Sequence, residues 1–156
     1  MNIRAIVPLG AAAIVTALYL AGGGIASADP VSKDEAVAMV QKAVASIKSE
    51  GAEKAYAEIS NPSGKFVDRD LYIVVYGLDG LVLAHGAKAS RVGTNQIDDK
   101  DPDGKAFVKE RVELAKQQPS FWQTYKFMNP VTKKVEPKQM YCERLAETAV
   151  CGGIYQ

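Results

Sequence analysis

Apolar residues recur at helical spacing in the segment that follows residue 30. They stand three or four positions apart: Val37, Val40, Val44 and Ile47. This period places them on one face of an amphipathic helix. Ser32 and Glu35 form the S-x-x-E pattern of a capping box, which predicts that the helix begins just after Ser32, and Gly51 predicts its end. A second, shorter helix is expected before the turn-forming residues 61–64.

The pattern then changes to one that is typical of β-strands. Residues 70–76 and 81–85 are rich in β-branched, aromatic and aliphatic side chains, and Asp79-Gly80 between them predicts a tight hairpin turn. Because both runs are almost continuously apolar, we expect a sheet that is covered on both faces. Three further strands are predicted near the C-terminus, over 121–128, 135–145 and 148–155.

Residues 86–103 have no apolar period and separate the two groups of strands. A connection of about eighteen residues is long for a compact domain and is typical of a lid or a binding loop. A helix is predicted to begin near Asp103, with Asp103 as its N-cap, and to end at Gln118-Pro119. The order of the elements predicts an α+β fold, in which an antiparallel sheet of about five strands has the N-terminal helices on one face and the long loop with its helix over the other.

The first 28 residues have the pattern of a secretory signal peptide. A basic start at Arg4 precedes an apolar run over 5–21, and Ala26-Ser27-Ala28 is a small-x-small cleavage site. We therefore predict a cleaved segment at 1–28 and one domain over 29–156, located in the periplasm or secreted, with no membrane span after cleavage. An uncleaved membrane anchor is the alternative, because the apolar run is near the shortest length that spans a bilayer.

Composition and charge exclude several classes of function. The chain has 19 Lys and Arg against 18 Asp and Glu, and its lysines are dispersed, so we expect no nucleic-acid partner. No catalytic motif is present and His85 is the only histidine, so we predict neither an enzyme nor a bound cofactor. In an exported chain Cys142 and Cys151 are expected to form a disulfide, since a two-residue turn at 146–147 would place them opposite each other on two strands.

The acidic segment after the long loop admits two interpretations. The first, third, fifth and twelfth positions of an EF-hand calcium loop are matched by Asp99, Asp101, Asp103 and Glu110. However, no amphipathic helix precedes this segment, and Ala106 stands at the eighth position, where a β-branched residue is usual. We therefore interpret the segment as a helix-capping lid and expect no metal, with calcium at these four carboxylates as the alternative.

Five short motifs follow one another in an order that is found in a known family. They are Leu71 to His85, Asp101-Pro102-Asp103-Gly104-Lys105-x-Phe107-Val108-Lys109-Glu110, Asn129-Pro130-Val131-Thr132, Glu136-Pro137-Lys138 and Gly153-Ile154-Tyr155. Together they resemble the single Cache domain of extracytoplasmic sensors, over essentially all of 29–156. The resemblance implies a PAS-like fold, of the kind found on chemoreceptors and sensor kinases, that binds small molecules such as short organic acids. Two departures from the family pattern are Lys133, where the turn commonly has Gly, and Gly86, where Pro is common.

The same resemblance implies a set of site residues. The ligand-binding positions carried over are His85, Trp122, Tyr125, Lys138 and Tyr141. The lid loop contributes Lys88, Arg91, Asp101 and Asp103. In this arrangement Lys138 pairs with a ligand carboxylate, the two tyrosines donate hydroxyl hydrogen bonds and Trp122 forms the apolar end of the pocket.

Strand geometry conflicts with part of that set. Positions 122 and 125 differ by an odd number, as do 138 and 141, so a regular strand sends the members of each pair to opposite faces. The prediction therefore requires a β-bulge, near Pro137 for the second pair, or else some of these residues belong to the core.

These observations predict an exported, sensor-type domain that binds a short organic acid and acts through a partner, such as a membrane receptor or a kinase. The alternative is a disulfide-stapled envelope protein that acts by protein–protein contact and has no ligand.

Overall fold

The computed structural model describes residues 29–156. The predicted signal peptide at 1–28 lies outside the described residues. Within 29–156, none of the helices has the length and apolar character needed to cross a membrane.

The N-terminal helices begin and end where the capping residues predict. Helix α1 spans Lys33–Glu50 and helix α2 spans Ala52–Ile59. The Ser32 backbone N–H donates to the Glu35 carboxylate at 2.7 Å, and the Glu35 N–H donates to the Ser32 hydroxyl at 3.2 Å, which completes the capping box. Gly51 has a φ of 85°, in the left-handed region, and ends α1 while it begins α2.

One antiparallel sheet of six strands forms the centre of the domain. The strands are β1 (Val67–Asp68), β2 (Leu71–Gly77), β3 (Val82–His85), β4 (Ser120–Met128), β5 (Val135–Leu145) and β6 (Thr148–Tyr155). Their order is β1-β2-β6-β5-β4, and β3 also pairs with β2. The α+β class is confirmed, and the sixth strand is the two-residue β1, which is too short for an alternating pattern to reveal.

Both faces of the sheet are covered, as the continuous apolar strands predict. One face packs against α1 and α2, and its buried side chains include Ile73, Val75 and Val150. The other face packs against helix α3 (Phe107–Gln117), and its buried side chains include Val74, Tyr76 and Met140. Successive residues of β2 therefore alternate between two separate apolar cores.

The disulfide joins β5 and β6 at the predicted register. Cys142 lies directly opposite Cys151, with the Cα atoms 4.1 Å apart, and Leu145 pairs with Thr148 across the two-residue turn. Both cysteines are fully buried on the face that packs against α3. The bridge thus fixes the register of the terminal hairpin inside the core.

The start of α3 differs from the prediction. The helix begins at Phe107, its N-cap is Ala106, and no side chain caps it, so the expected cap at Asp103 is wrong. The reason is a turn at 101–105: the Asp101 carboxylate accepts the backbone N–H groups of Asp103 and Lys105 at 3.0 and 2.9 Å. These amides are already bonded, so the chain becomes helical only after the turn.

Candidate ligand-binding site

A cavity of about 300 Å³ lies between the end of β3, the loop that follows it and the β4–β5 hairpin. Three groups of residues line it: Tyr72 and His85 from the sheet, Ala87, Lys88 and Arg91 from the loop, and Phe127, Met128, Pro130 and Lys133 from β4 and the hairpin. Its volume is at the lower end of the range for small-molecule pockets. Its lining contains the three basic side chains Lys88, Arg91 and Lys133 and no carboxylate.

His85 is held at the cavity wall as a neutral imidazole. Its Nδ1 accepts the backbone N–H groups of Ala87 and Lys88 at 3.3 and 3.0 Å, which leaves the ring proton on Nε2. Its ring stacks on Tyr72 with the centroids 5.2 Å apart. Burial, followed by the positive charges of Lys138 and Arg91, lowers the pKa of His85 to about 3. The Nε2–H group is therefore a hydrogen-bond donor at neutral pH.

Arg91 forms the loop wall of the cavity. Its guanidinium lies 5.2 Å from the centroid of the Phe127 ring, and its Nη1 donates to Gln96 Oε1 at 2.8 Å and to Asp99 Oδ2 at 3.5 Å. Within residues 29–156 its Nε and Nη2 donors make no hydrogen bond. Lys88, in the same wall, has no ion pair with any described residue. Both side chains can therefore bind an anionic ligand group.

Lys138 lies next to Tyr72, one of the residues of the cavity wall. Its Nζ is 3.9 Å from the centroid of the Tyr72 ring and 3.2 Å from the Tyr155 hydroxyl. The side chain is fully buried, and none of the described carboxylates forms an ion pair with it. Burial, followed by the charge of Arg111, lowers the pKa of Lys138 well below its usual value. Lys138 does not line the cavity.

Replacing Lys138 with methionine is expected to raise the free energy of unfolding by about 1–2 kcal/mol at pH 7, because an apolar chain of similar length removes the desolvation cost. Because folding lowers the pKa of Lys138, the unfolded state binds more protons at this site than the folded state below pH 10.5, so this gain should shrink as pH rises towards 10.5. Urea unfolding at pH 7 and pH 10 measures both effects. Lys134→Met, at an exposed position of the same hairpin, is the control. A lower stability of Lys138→Met would mean that the hydrogen bond to Tyr155 outweighs desolvation.

Tyr125 is buried in the core rather than at the cavity. It shares a face with Lys138, to which it is directly opposed in the β4–β5 register. Its ring stacks on Phe107 with the centroids 4.6 Å apart, and its hydroxyl donates to the Met140 sulfur at 3.7 Å. The guanidinium of Arg111 lies 5.0 Å from its centroid. These contacts occupy the groups that the sequence assigned to a ligand.

Trp122 and Tyr141 lie on the opposite face of the sheet. They are opposed to each other across β4 and β5, and the register is regular from Ser120 to Met128, so the expected bulge near Pro137 is absent from this pair of strands. Trp122 is 38% exposed and Lys33 of α1 lies 5.3 Å from its ring centroid. The structure therefore does not bring these two residues together with His85.

Asp101 and Asp103 attach the loop to strand β4 and do not line the cavity. Asp101 accepts a third amide, from Lys126 of β4, at 3.1 Å, and Asp103 pairs with the Lys126 ammonium at 2.8 Å. The other two carboxylates of the calcium-loop interpretation also form ion pairs: Asp99 with Arg91, and Glu110 with Lys105. Within 29–156 no three His, Cys, Asp or Glu side chains form a group that could hold a metal ion.

The sequence prediction missed all of the apolar lining and one of the three cations. The missed residues are Tyr72, Ala87, Phe127, Met128, Pro130 and Lys133. Tyr72 and Phe127 fitted the pattern of ordinary strand residues, so periodicity gave no signal for them. Lys133 occupies a turn position at which the family commonly has Gly. That departure was the only feature of the sequence that could have indicated a role for Lys133.

The chain matches a family model described as single Cache domain 2 over residues 26–151. Three solved structures have a similar fold, each under 25% identical. A methyl-accepting chemotaxis protein from Vibrio parahaemolyticus has a TM-score of 0.68 at 23% identity, over 79% of this chain and 87% of that one. A Cache chemosensory domain described as recognising carboxylic acids has a TM-score of 0.66 at 20% identity, over 78% and 91%. The periplasmic sensor domain of a chemotaxis protein has a TM-score of 0.63 at 19% identity, over 78% and 88%. No curated protein matches the chain.

Proposed function

This chain belongs to the single Cache domain family, and on that premise we propose that it senses a short organic acid outside the cytoplasm. Cache domains are extracytoplasmic sensor domains rather than enzymes. The proposed ligand site is the cavity between the loop after β3 and the β4–β5 hairpin. The proposed signal passes to a partner, a membrane receptor or a kinase. The predicted segment at 1–28 would direct the domain to the periplasm or out of the cell.

The observation that carries the proposal is the charge of the cavity lining. Three cations, from Lys88, Arg91 and Lys133, surround a space whose other surfaces are apolar or aromatic, and no Asp or Glu lines it. A cavity with a net positive lining attracts anions of matching size. A carboxylate bound there would replace the water around these cations with charge-assisted hydrogen bonds.

Particular groups in the cavity suit a carboxylate. Arg91 offers Nε and Nη2, which can form the two parallel hydrogen bonds that a carboxylate accepts. The neutral His85 offers Nε2–H, since its Nδ1 is occupied by backbone amides. The rings of Tyr72 and Phe127 offer an apolar surface for a short carbon chain. A similar Cache chemosensory domain, which recognises carboxylic acids, agrees with this ligand class.

Short carboxylic acids are expected to raise the melting temperature of the purified protein, whereas the corresponding amides are expected to have no effect. The reason is that the three cations require a charged partner. Differential scanning fluorimetry against two- to four-carbon acids and their amides tests this, and isothermal titration calorimetry gives the affinities. Lys88→Ala is expected to weaken the best acid by about tenfold, the usual effect of losing one charge-assisted contact.

Lys100→Ala is the matched control for Lys88→Ala. Both lysines are exposed and belong to the same loop region, but Lys100 does not line the cavity. Its replacement should leave the affinity unchanged. If no acid changes the melting temperature of the folded protein, ligand sensing at this cavity is rejected.

That negative result would favour a function in protein–protein contact. One observation supports this second candidate: three apolar side chains around the β4–β5 hairpin are exposed, Met128 at 48%, Val131 at 62% and Val135 at 49%. Exposed apolar groups at a protruding hairpin are typical of contact surfaces.

A further inference from the structure

We propose that Lys133 is a specificity-determining residue that selects an acid with a second anionic group, so that the preferred ligand is a dicarboxylate. This inference rests on the proposed binding of an organic acid in the same cavity. It goes beyond that proposal because it names the class of acid and the residue that distinguishes a diacid from a monoacid.

The cations of the cavity stand on two separate walls. Lys88 and Arg91 belong to the loop that follows β3, whereas Lys133 belongs to the turn between β4 and β5. The rings of Tyr72 and Phe127 line the same cavity. The lining therefore combines cations from two separate segments of the chain with apolar ring surfaces.

A ligand that matches this pattern has an anionic group at each end of a short carbon chain. A monocarboxylate can satisfy the cations of one wall and leaves the other wall without a partner, since none of the lining residues is acidic. A dicarboxylate can satisfy both walls at once. The second carboxylate adds a charge-assisted contact that a monocarboxylate cannot make.

The turn holds Lys133 in a fixed position at the cavity. Lys133 has a φ of 61°, in the left-handed region, where a lysine is uncommon. Its backbone N–H donates to the Asn129 carbonyl at 3.0 Å, and the Asn129 N–H donates to the Lys134 carbonyl at 2.8 Å. The buried Asn129 side chain also donates to Asp70 at 3.1 Å and to Glu136 at 2.7 Å. The position of the lysine backbone is thus set before any ligand arrives.

The test compares acids of equal carbon number by isothermal titration calorimetry: malonate with propionate, succinate with butyrate, and glutarate with valerate. In the unchanged protein, one diacid is expected to bind about tenfold tighter than its monoacid partner. In Lys133→Asn that preference should fall to about twofold or less, through weaker diacid binding with little change for the monoacid. Asparagine tolerates the left-handed backbone conformation, so the turn is expected to be preserved.

Two further variants complete the test. Lys134→Asn makes the same change at the next residue, which does not line the cavity, and should keep the diacid preference. Lys133→Arg keeps the positive charge at position 133 and should keep the diacid preference as well. Equal affinities for diacids and monoacids, or an unchanged preference in Lys133→Asn, would overturn the role of Lys133 while acid sensing stands. A protein that binds none of the six acids would overturn both proposals.

Discussion

Replacing Asp101 with alanine is expected to lower the free energy of unfolding by about 3 kcal/mol, a large effect for a residue in a loop. The buried carboxylate accepts three backbone amides, from Asp103 at 3.0 Å, Lys105 at 2.9 Å and Lys126 at 3.1 Å. The first two shape the turn before α3, and the third joins that turn to strand β4. Removing the acceptor leaves amides without a partner, and each buried unpaired amide costs about 1–3 kcal/mol.

Urea unfolding at pH 7 measures this prediction, with Asp103→Ala as the control. The Asp103 side chain is 61% exposed and accepts a hydrogen bond only from the Lys126 ammonium, which is exposed as well, so its loss should cost less than about 1 kcal/mol. Burial raises the pKa of Asp101, but the three amides outweigh it and the net pKa is lowered. The contribution of Asp101 is therefore present at neutral pH and is lost in acid. Equal effects of the two substitutions would show that the amide contacts do not stabilise the loop.

Replacing His85 with asparagine is expected to reduce the acid sensitivity of the fold by about 2.5 kcal/mol between pH 6 and pH 4. The pKa of the buried imidazole is lowered from 6.5 to about 3. Below pH 6.5 the imidazole binds a proton in the unfolded state but stays neutral in the folded state down to about pH 3. The free energy of unfolding therefore decreases as pH falls from 6.5 towards 3. Asparagine does not titrate, and its side-chain oxygen can accept the Ala87 and Lys88 amides in place of Nδ1.

The measurement is a series of urea unfolding curves from pH 7 to pH 4 for both proteins. The carboxylates with lowered pKa values, such as Glu35 and Glu136, are present in both and cancel in the comparison. At pH 7 the two proteins should have similar stability, since His85 is neutral in the folded state. Parallel curves for the two proteins across this range would contradict a buried, neutral His85.

Local sequence patterns were sufficient for most of the elements and their ends. Ser32 and Glu35 fix the start of α1 because a capping box needs no contact from outside the helix. The register of β5 and β6 follows from the two-residue turn, and so does the pairing of Cys142 with Cys151. The start of α3 was misplaced because the carboxylate of Asp101, rather than that of Asp103, organises the preceding turn, and its third amide comes from the distant strand β4.

The candidate site was determined only by the tertiary structure. The alternation of side chains along a strand places Trp122 and Tyr125 on opposite faces of the sheet. It does not show which of the two faces borders the cavity or which helix packs on each face. That depends on which helix packs on which side: α1 meets Trp122, whereas α3 meets Tyr125. Lys138 is on the same face of the sheet as Tyr125, yet it does not line the cavity, and its Nζ packs against the ring of Tyr72. No pattern along one strand reveals a side chain that comes from another.

The sequence by itself determined the α+β fold, the capping box of α1, the disulfide and the family, because each rests on local spacing or on the order of short motifs. The tertiary structure decided which cations line one cavity. Lys133 lines the same cavity as Lys88 and Arg91, although it follows both of them by more than forty positions along the chain. Their proximity depends on the packing of the loop after β3 beside the β4–β5 hairpin, and a short-range pattern carries no information about that long-range contact.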